Sequence, residues 1–331
     1  MSEQIRIPFD ELRMVLKKVL LKLNFPEDKA SLCADVFASN SRDGVYSHGV
    51  TRFPVFINYV KSGLIKIEAE PEVLSRRGVV EMWDGHLAPG IYTATKAMDT
   101  AIAIARQNGM GCVAVKNTNH WMRGGTYGWQ AAEAGCIGIC FTNTIANMPP
   151  WGGIQARLGN NPVVIAVPRS GGHILLDMAL SQYSYGKLQE TQLKGEQLPV
   201  PGGFNQSGHL TTDPGEIMTS WRALPVGFWK GSAFSFILDS VLTALTGGQS
   251  VFKITETGKE YGLSQIFLCI YQDHFNESLI DEMIAFTKTC ELAGENDRIS
   301  YPGERVLNSR HENEKNGIPV NKLIWDNILT I

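Results

Sequence analysis

No run of about 18 apolar residues occurs in the 331-residue chain, so no membrane span is expected. The opening residues, MSEQIRIPFDEL, hold no apolar core of the kind a secretion signal needs, and the expected compartment is the cytoplasm. Positive charge is not in excess. With 30 basic and 33 acidic side chains the net charge is −3, and no basic stripe follows a phosphate backbone, so nucleic acid is not an expected partner. HExxH, paired CxxC and GxSxG are all missing, which leaves no sequence ground for a zinc protease or a nucleophile elbow. There is no internal repeat and no low-complexity segment.

The cysteines are few and scattered, at 33, 112, 136, 140, 269 and 290, and fit reduced thiols. Cys136 and Cys140 fall in GCIGIC, which reads as a strand. Residues four apart on a strand share a face but stand roughly 13 Å apart, so two buried thiols are expected there and no metal site.

What is present is ordinary globular composition, 44% apolar and 19% charged, long enough for one large or two modest domains. Apolar residues at helical spacing predict helices over 8–23, over 26–38 and within 51–61. The texture then changes. Strands are expected at 79–85, 111–117, 136–143, 163–168, 173–180 and 264–273. Helices are expected at 93–109, 126–135, 231–248, 277–294, 304–316 and 321–329. Residues 187–227, with many Gly and Pro, read as a long excursion. This alternation predicts an α/β core.

GMGCVA, Gly109 to Ala114, matches G-x-G-x-x-A, but a helix precedes it and a strand follows. A dinucleotide fingerprint needs the reverse order, so that a helix N-terminus meets the pyrophosphate. The match reads as a helix C-cap glycine followed by strand entry.

Four stretches set polar side chains among Gly and aromatic residues where loops meet strands. They are VYSHGVTRFP (45–54), KNTNHWMRGGTYG (116–128), FTNTIANMPPWGG (141–153), and GNNPVVIAVP leading to ILLDMALSQYSYG. The first holds His48 and Arg52, the second Asn119, His120 and Arg123, the third Asn143, the fourth Asp177. In the second, Gly124-Gly125 would leave backbone N–H groups open to a ligand. Each has a plain structural reading as well. A histidine near a turn is often only hydrogen-bonded, asparagines form turns, and Asp177 can accept backbone hydrogen bonds. His86, His209, His274 and His311 read as structural or surface residues. Together, histidines, arginines and asparagines at strand ends suit a polarised carbonyl and a carboxylate, hence proton-coupled chemistry on an oxo acid.

These stretches, in this order, resemble the type-2 malate/L-lactate dehydrogenase family, with Ser47-His48-Gly49 followed by Arg52, Asn119-His120 with Gly124-Gly125, Pro150-Trp151-Gly152-Gly153, and Gly159-Asn160-Asn161-Pro162. The likeness runs essentially end to end. It implies an NAD(P)-dependent oxidoreductase acting on CH–OH, with NADH as cofactor and NADPH admissible. The substrate class implied is a 2-oxo acid: a 2-oxo sugar acid first, a simpler acid such as oxaloacetate or pyruvate second. It also implies a homodimer and an α/β fold with a non-Rossmann, mixed-sheet cofactor domain beside a mostly helical N-terminal segment. On this chain the division would be residues 1–70, helical and carrying His48 and Arg52, residues 71–250, the α/β cofactor core, and residues 251–331, the completing strand and helices.

By the same resemblance the proton donor falls on His48. Cofactor contacts fall on His173, Ile174, Leu175, Leu176, Asp177, Met178 and Ala179, on Trp229 and Lys230, and on Gly303, Glu304 and Arg305. Arg52 and Arg123 are expected on the substrate carboxylate, and His120 and Asn143 on its carbonyl or polyol. A histidine titrating near 6.5 would be poised to give a proton near neutral pH, and Gly49 is expected to clear space for the substrate. The rival reading is a non-redox sugar-acid isomerase or binding protein using His48 and His120 as an acid/base pair.

Overall fold

Two prolines and a regular apolar stripe start the chain's first layer. The structure is a computed structural model describing residues 3–294 and 297–331. After a short strand β1 (Gln4–Ile7), α1 (Phe9–Lys22) begins behind Pro8 and buries Leu12, Leu16, Val19 and Leu20. Helix α2 (Glu27–Arg42) begins behind Pro26 with Glu27 and Asp28 in its first turn, where carboxylates suit the helix dipole. It runs past the expected end at 38, because Asn40 and Ser41 turn inward and are buried. Two single 3₁₀ turns, Tyr46–His48 and Val50–Arg52, lead into α3 (Phe53–Lys61).

The α/β part follows as β2 (Glu72–Arg77), β3 (Val80–Asp84), α4 (Gly90–Asn108), β4 (Met110–Thr118), α5 (Gly125–Glu133) and β5 (Cys136–Thr142). A short pair, β6 (Ala146–Met148) and β7 (Leu158–Gly159), precedes β8 (Val163–Val167) and β9 (Ile174–Met178). Gly109 closes α4 at φ 82 and β4 starts at once, so GMGCVA is a helix cap and strand entry. Cys136 and Cys140 share the buried face of β5.

The excursion is more ordered than its composition suggested. It holds α6 (Tyr185–Lys194), β10 (Gly203–Phe204), β11 (Leu210–Thr211) and α7 (Pro214–Ser220). The reason is local capping. Ser184 Oγ accepts from Lys187 N, and Asp213 Oδ1 accepts from Gly215 N and Glu216 N. Leu188, Leu198 and Ile217 make a small core of their own.

The remainder is α8 (Trp229–Thr246), α9 (Val251–Glu256), β12 (Leu263–Tyr271), α10 (Glu277–Lys288), α11 (Glu304–Asn316), β13 (Ile318–Asn321) and α12 (Lys322–Thr330). Seven strands form one mixed sheet in the order β2-β3-β4-β12-β5-β8-β9. Only β3 and β4 pair in parallel within it, which is not the doubly wound nucleotide sheet. Helices α4 and α5 cover one face and α8 the other. Strand β13 pairs antiparallel with β1. Ile318, Val320, Trp325 and Ile328 then join the core of α1, α2 and α3, so the end of the chain completes the helical layer built at its start.

Candidate active site

The C-terminal end of α2 holds the His48 turn in place. Asn40 Nδ2 donates to His48 O at 3.0 Å, and Asn40 Oδ1 accepts from Thr126 Oγ1 at 2.7 Å. Ser41 Oγ accepts from Val50 N at 2.8 Å. Gly49 therefore serves α2 rather than the substrate: a Cβ there would run into Ser41 Oγ and lie 2.8 Å from Ser41 N and 3.1 Å from Phe37 O. Gly186 does the same for α6, since its Cβ would meet Ser47 Cβ at 2.7 Å. His48 Nδ1 stands 3.1 Å from Ser47 Oγ.

The two histidines are brought together. The rings of His48 and His120 stack with centroids 5.7 Å apart and planes 17° apart. Met122 N donates to His120 Nδ1 at 2.9 Å, so the neutral ring carries its proton on Nε2. That nitrogen faces Glu260 Oε1 at 3.9 Å. A pocket beside the pair is lined by Arg52, Tyr59, Asn119, His120, Met122 and Glu260, among others. Among the described residues Arg52 has no ion-pair partner, so its guanidinium is free to take an anion from this pocket.

Burial dominates the electrostatics. It pushes His48 down to about 4, helped by the positive fields of Arg52 and Arg123. His120 is driven well below its ordinary value by burial, then by Arg52 and His48. The expectation that His48 titrates near 6.5 is thus corrected for the free protein: taking the imidazole out of water disfavours its charged form. Burial raises the Glu260 carboxyl, opposed by the Ile145 N–H and by Arg52.

Arg123 and Asn143 are placed differently from expectation. Arg123 is 3% exposed, and its Nη1 donates to Asp43 Oδ2 at 2.8 Å, while its Nε lies 3.6 Å from Asp177 Oδ2. Its guanidinium is committed to two carboxylates and does not present a fork to a substrate. Asn143 is fully buried; its amide donates to Asp239 Oδ1 and Gln249 O, and its carbonyl accepts from Ser264 N. Both ends are used in tying β5 to the α8–α9 loop and β12. Nor is Gly125 N open to a ligand, since it donates to Asp177 Oδ2 at 2.9 Å.

The three separate segments assigned to the cofactor lie along one strand. Residues 173–179 span β9 (Ile174–Met178), the edge of the sheet, with one flanking residue at each end. Leu175 N donates to Pro302 O at 2.9 Å, and Gly303 adopts φ +99 where a Cβ would stand 2.9 Å from His173 O. Val226 N donates to Leu180 O at 2.8 Å, which brings Trp229 and Lys230 to the other end of β9. Helices α8 and α11 start without a side-chain cap, leaving first-turn N–H groups for an anion. Lys230 and Arg305 are exposed beside them. This donor set fits the phosphates of a dinucleotide. His173 is less free: its Nδ1 accepts from Arg169 N, and its ring meets Trp129 edge-on at 4.7 Å. Glu304 pairs with Lys288 and keeps a buried Oε2 without a partner.

Glu260 and Asp43 were missed by sequence reasoning. Asp43 accepts from Arg123, from Arg310 at 2.8 and 2.9 Å, and from Arg42 at 3.2 Å. Glu260 had one signal, an acid directly ahead of a buried strand.

A sequence model of the malate/L-lactate dehydrogenase family matches residues 7–329. The chain is 44% identical to the 2,3-diketo-L-gulonate reductase of Citrobacter koseri, over 98% of this chain and 99% of the relative. It is 45% identical to the protein of the same name from Pasteurella multocida, over 99% and 100%. Among solved structures it is similar to malate dehydrogenase from Pyrococcus horikoshii, with TM-score 0.88 and 29% identity over 99% of this chain and 95% of that one. Sulfolactate dehydrogenase from Methanocaldococcus jannaschii gives TM-score 0.87 and 28% identity over 98% and 95%.

Proposed function

The chain belongs to the malate/L-lactate dehydrogenase family, and from that premise we propose that it reduces 2,3-diketo-L-gulonate to 3-dehydro-L-gulonate with NADH. It is an oxidoreductase acting on CH–OH through a nicotinamide cofactor. The observation that carries the site assignment is the stacked His48–His120 pair beside an arginine that has no ion-pair partner among the described residues. The substrate assignment rests on relatives of that name matched over nearly their whole length.

The nicotinamide, when bound, supplies the hydride for the C2 carbonyl. Residues 173–179, Trp229, Lys230 and 303–305 would hold the cofactor. Arg52 takes the C1 carboxylate in a paired, planar contact. His120 donates from Nε2 to a substrate oxygen. As charge grows on the C2 oxygen, His48 gives it a proton. The free protein keeps His48 neutral at pH 7, so His48 takes its proton from solvent as the substrate binds: the carboxylate on Arg52 offsets the field that opposes the imidazolium. The carboxylate of Glu304, at one cofactor segment, opposes the extra phosphate of NADPH and favours NADH.

The partner in solution is a second copy. Helix α8 is apolar on both sides, and Phe236 and Ile237 are 62% and 54% exposed on its outer face. A helix that is apolar all round belongs in an interior. Five buried free thiols suit the cytoplasm. The deciding assay follows NADH and NADPH consumption with 2,3-diketo-L-gulonate, oxaloacetate and pyruvate. Rapid NADH loss with the sugar acid is expected. An absence of cofactor binding and consumption would return the non-redox reading.

A further inference from the structure

We propose that Glu260, acting with His120, selects a hydroxylated monocarboxylic 2-oxo acid over a dicarboxylic one; this deepens, and rests on, the reductase reading above. The pocket's charge is the starting point. Of the two arginines near His48, Arg123 is held by Asp43, so Arg52 alone is left to bind a substrate carboxylate. The pocket also contains a carboxylate of its own, Glu260. One Glu260 oxygen, Oε2, is occupied by the Ile145 N–H at 3.1 Å. The other, Oε1, has no hydrogen-bond partner among the described residues and faces His120 Nε2 across 3.9 Å.

That gap is too long for a hydrogen bond. It sets an acceptor, Oε1, beside a donor, the Nε2–H fixed by the Met122 contact to Nδ1. A hydroxyl group satisfies both at once, accepting from His120 and donating to Glu260. A second carboxylate has no proton to donate. It would bring a negative charge against Glu260 with Arg52 already occupied, and like charges placed against each other cost affinity. A substrate with hydroxyls beyond its oxo group therefore completes the pair, whereas a 2-oxo dicarboxylate leaves the pocket's acceptor unmet, and sites that hydrogen-bond a substrate hydroxyl discriminate against analogues lacking it.

The test compares kcat/KM for 2,3-diketo-L-gulonate and oxaloacetate, over a pH series, in the wild type and in Glu260→Gln. Glutamine keeps the acceptor for Ile145 N and turns an amide donor toward the pocket. The sugar acid is expected to be preferred by the wild type. In the variant the sugar-acid to oxaloacetate ratio should fall by about tenfold or more, the scale of a hydrogen bond to a charged group. A ratio cancels any shared loss of folded enzyme. An unchanged ratio, or a wild type that prefers oxaloacetate, overturns the proposal while leaving the reductase chemistry standing. A wild type that reduces neither acid overturns the functional reading and this inference together.

Discussion

Asp43 is 6% exposed and accepts from three guanidinium groups, those of Arg123, Arg310 and Arg42. Burial alone would raise its carboxyl, yet the arginines hold it below the ordinary value. Replacing it with asparagine keeps the shape and one acceptor but removes the carboxylate that Arg123 meets at 2.8 Å, leaving Asp177 at 3.6 Å. Removing one partner of a buried pair costs about 3–5 kcal/mol, because the remaining charge stays buried. Asp43→Asn should lose that much in urea unfolding. Arg123, left with Asp177 as its one remaining carboxylate among the described residues, should also add to the field on His48, which already disfavours the imidazolium, and move the descending limb of the pH–rate profile to lower pH. Adding Arg123→Met should recover part of the stability, since the cation that lost its hydrogen-bonded carboxylate is gone. If Asp43→Asn unfolds within about 1 kcal/mol of the wild type, the scale of an exposed pair, the network does not hold this region together.

Gly49→Ala should destabilise the protein by about 1–3 kcal/mol, the range for overpacking, and lower turnover by displacing the His48 turn from Ser41; thermal unfolding and steady-state kinetics check both. Arg52→Lys should weaken oxo-acid binding by about 1.5–3 kcal/mol while NADH affinity, read by fluorescence, stays close to wild type, because an ammonium lacks the planar fork. The His48 shift gives a pH signature. Its folded value, about 4, lies below the unfolded 6.5, so the unfolded chain takes the proton first. Stability is full above about 6.5 and declines as pH falls toward 4, on the order of 2–3 kcal/mol. Urea unfolding of the wild type should lose more than His48→Gln between pH 7.5 and pH 4.5.

Contiguous motifs were the legible part of the site. Ser47-His48-Gly49, Arg52 and Asn119-His120 lie within two short stretches, and their chemistry shows in residue type alone. The Asp43–Arg310 contact was not legible, because its partners stand 267 residues apart and nothing local links them. The roles of Arg123 and Asn143 failed for the same reason: Asp43 and Asp239, which occupy them, come from other parts of the chain. In the fold, the long apolar helices and buried strands were clear from periodicity. Strand β2, EVLSRR, was not, since charged side chains on an edge strand carry no alternation. Helix α7 had a readable start in Asp213-Pro214, a capping residue before a first-turn proline.

The central claim is that His48 gives the proton that follows the hydride. Its most direct test is the pH dependence of kcat for 2,3-diketo-L-gulonate reduction in the wild type and in His48→Asn, with NADH binding measured alongside. A general acid must be protonated, so the wild-type rate should fall as pH rises through the value His48 has with substrate bound. The variant should turn over roughly 10²–10⁴-fold more slowly, lose that high-pH limb, and still bind NADH. Near-normal turnover with an unchanged profile would make His48 structural and pass the role to His120.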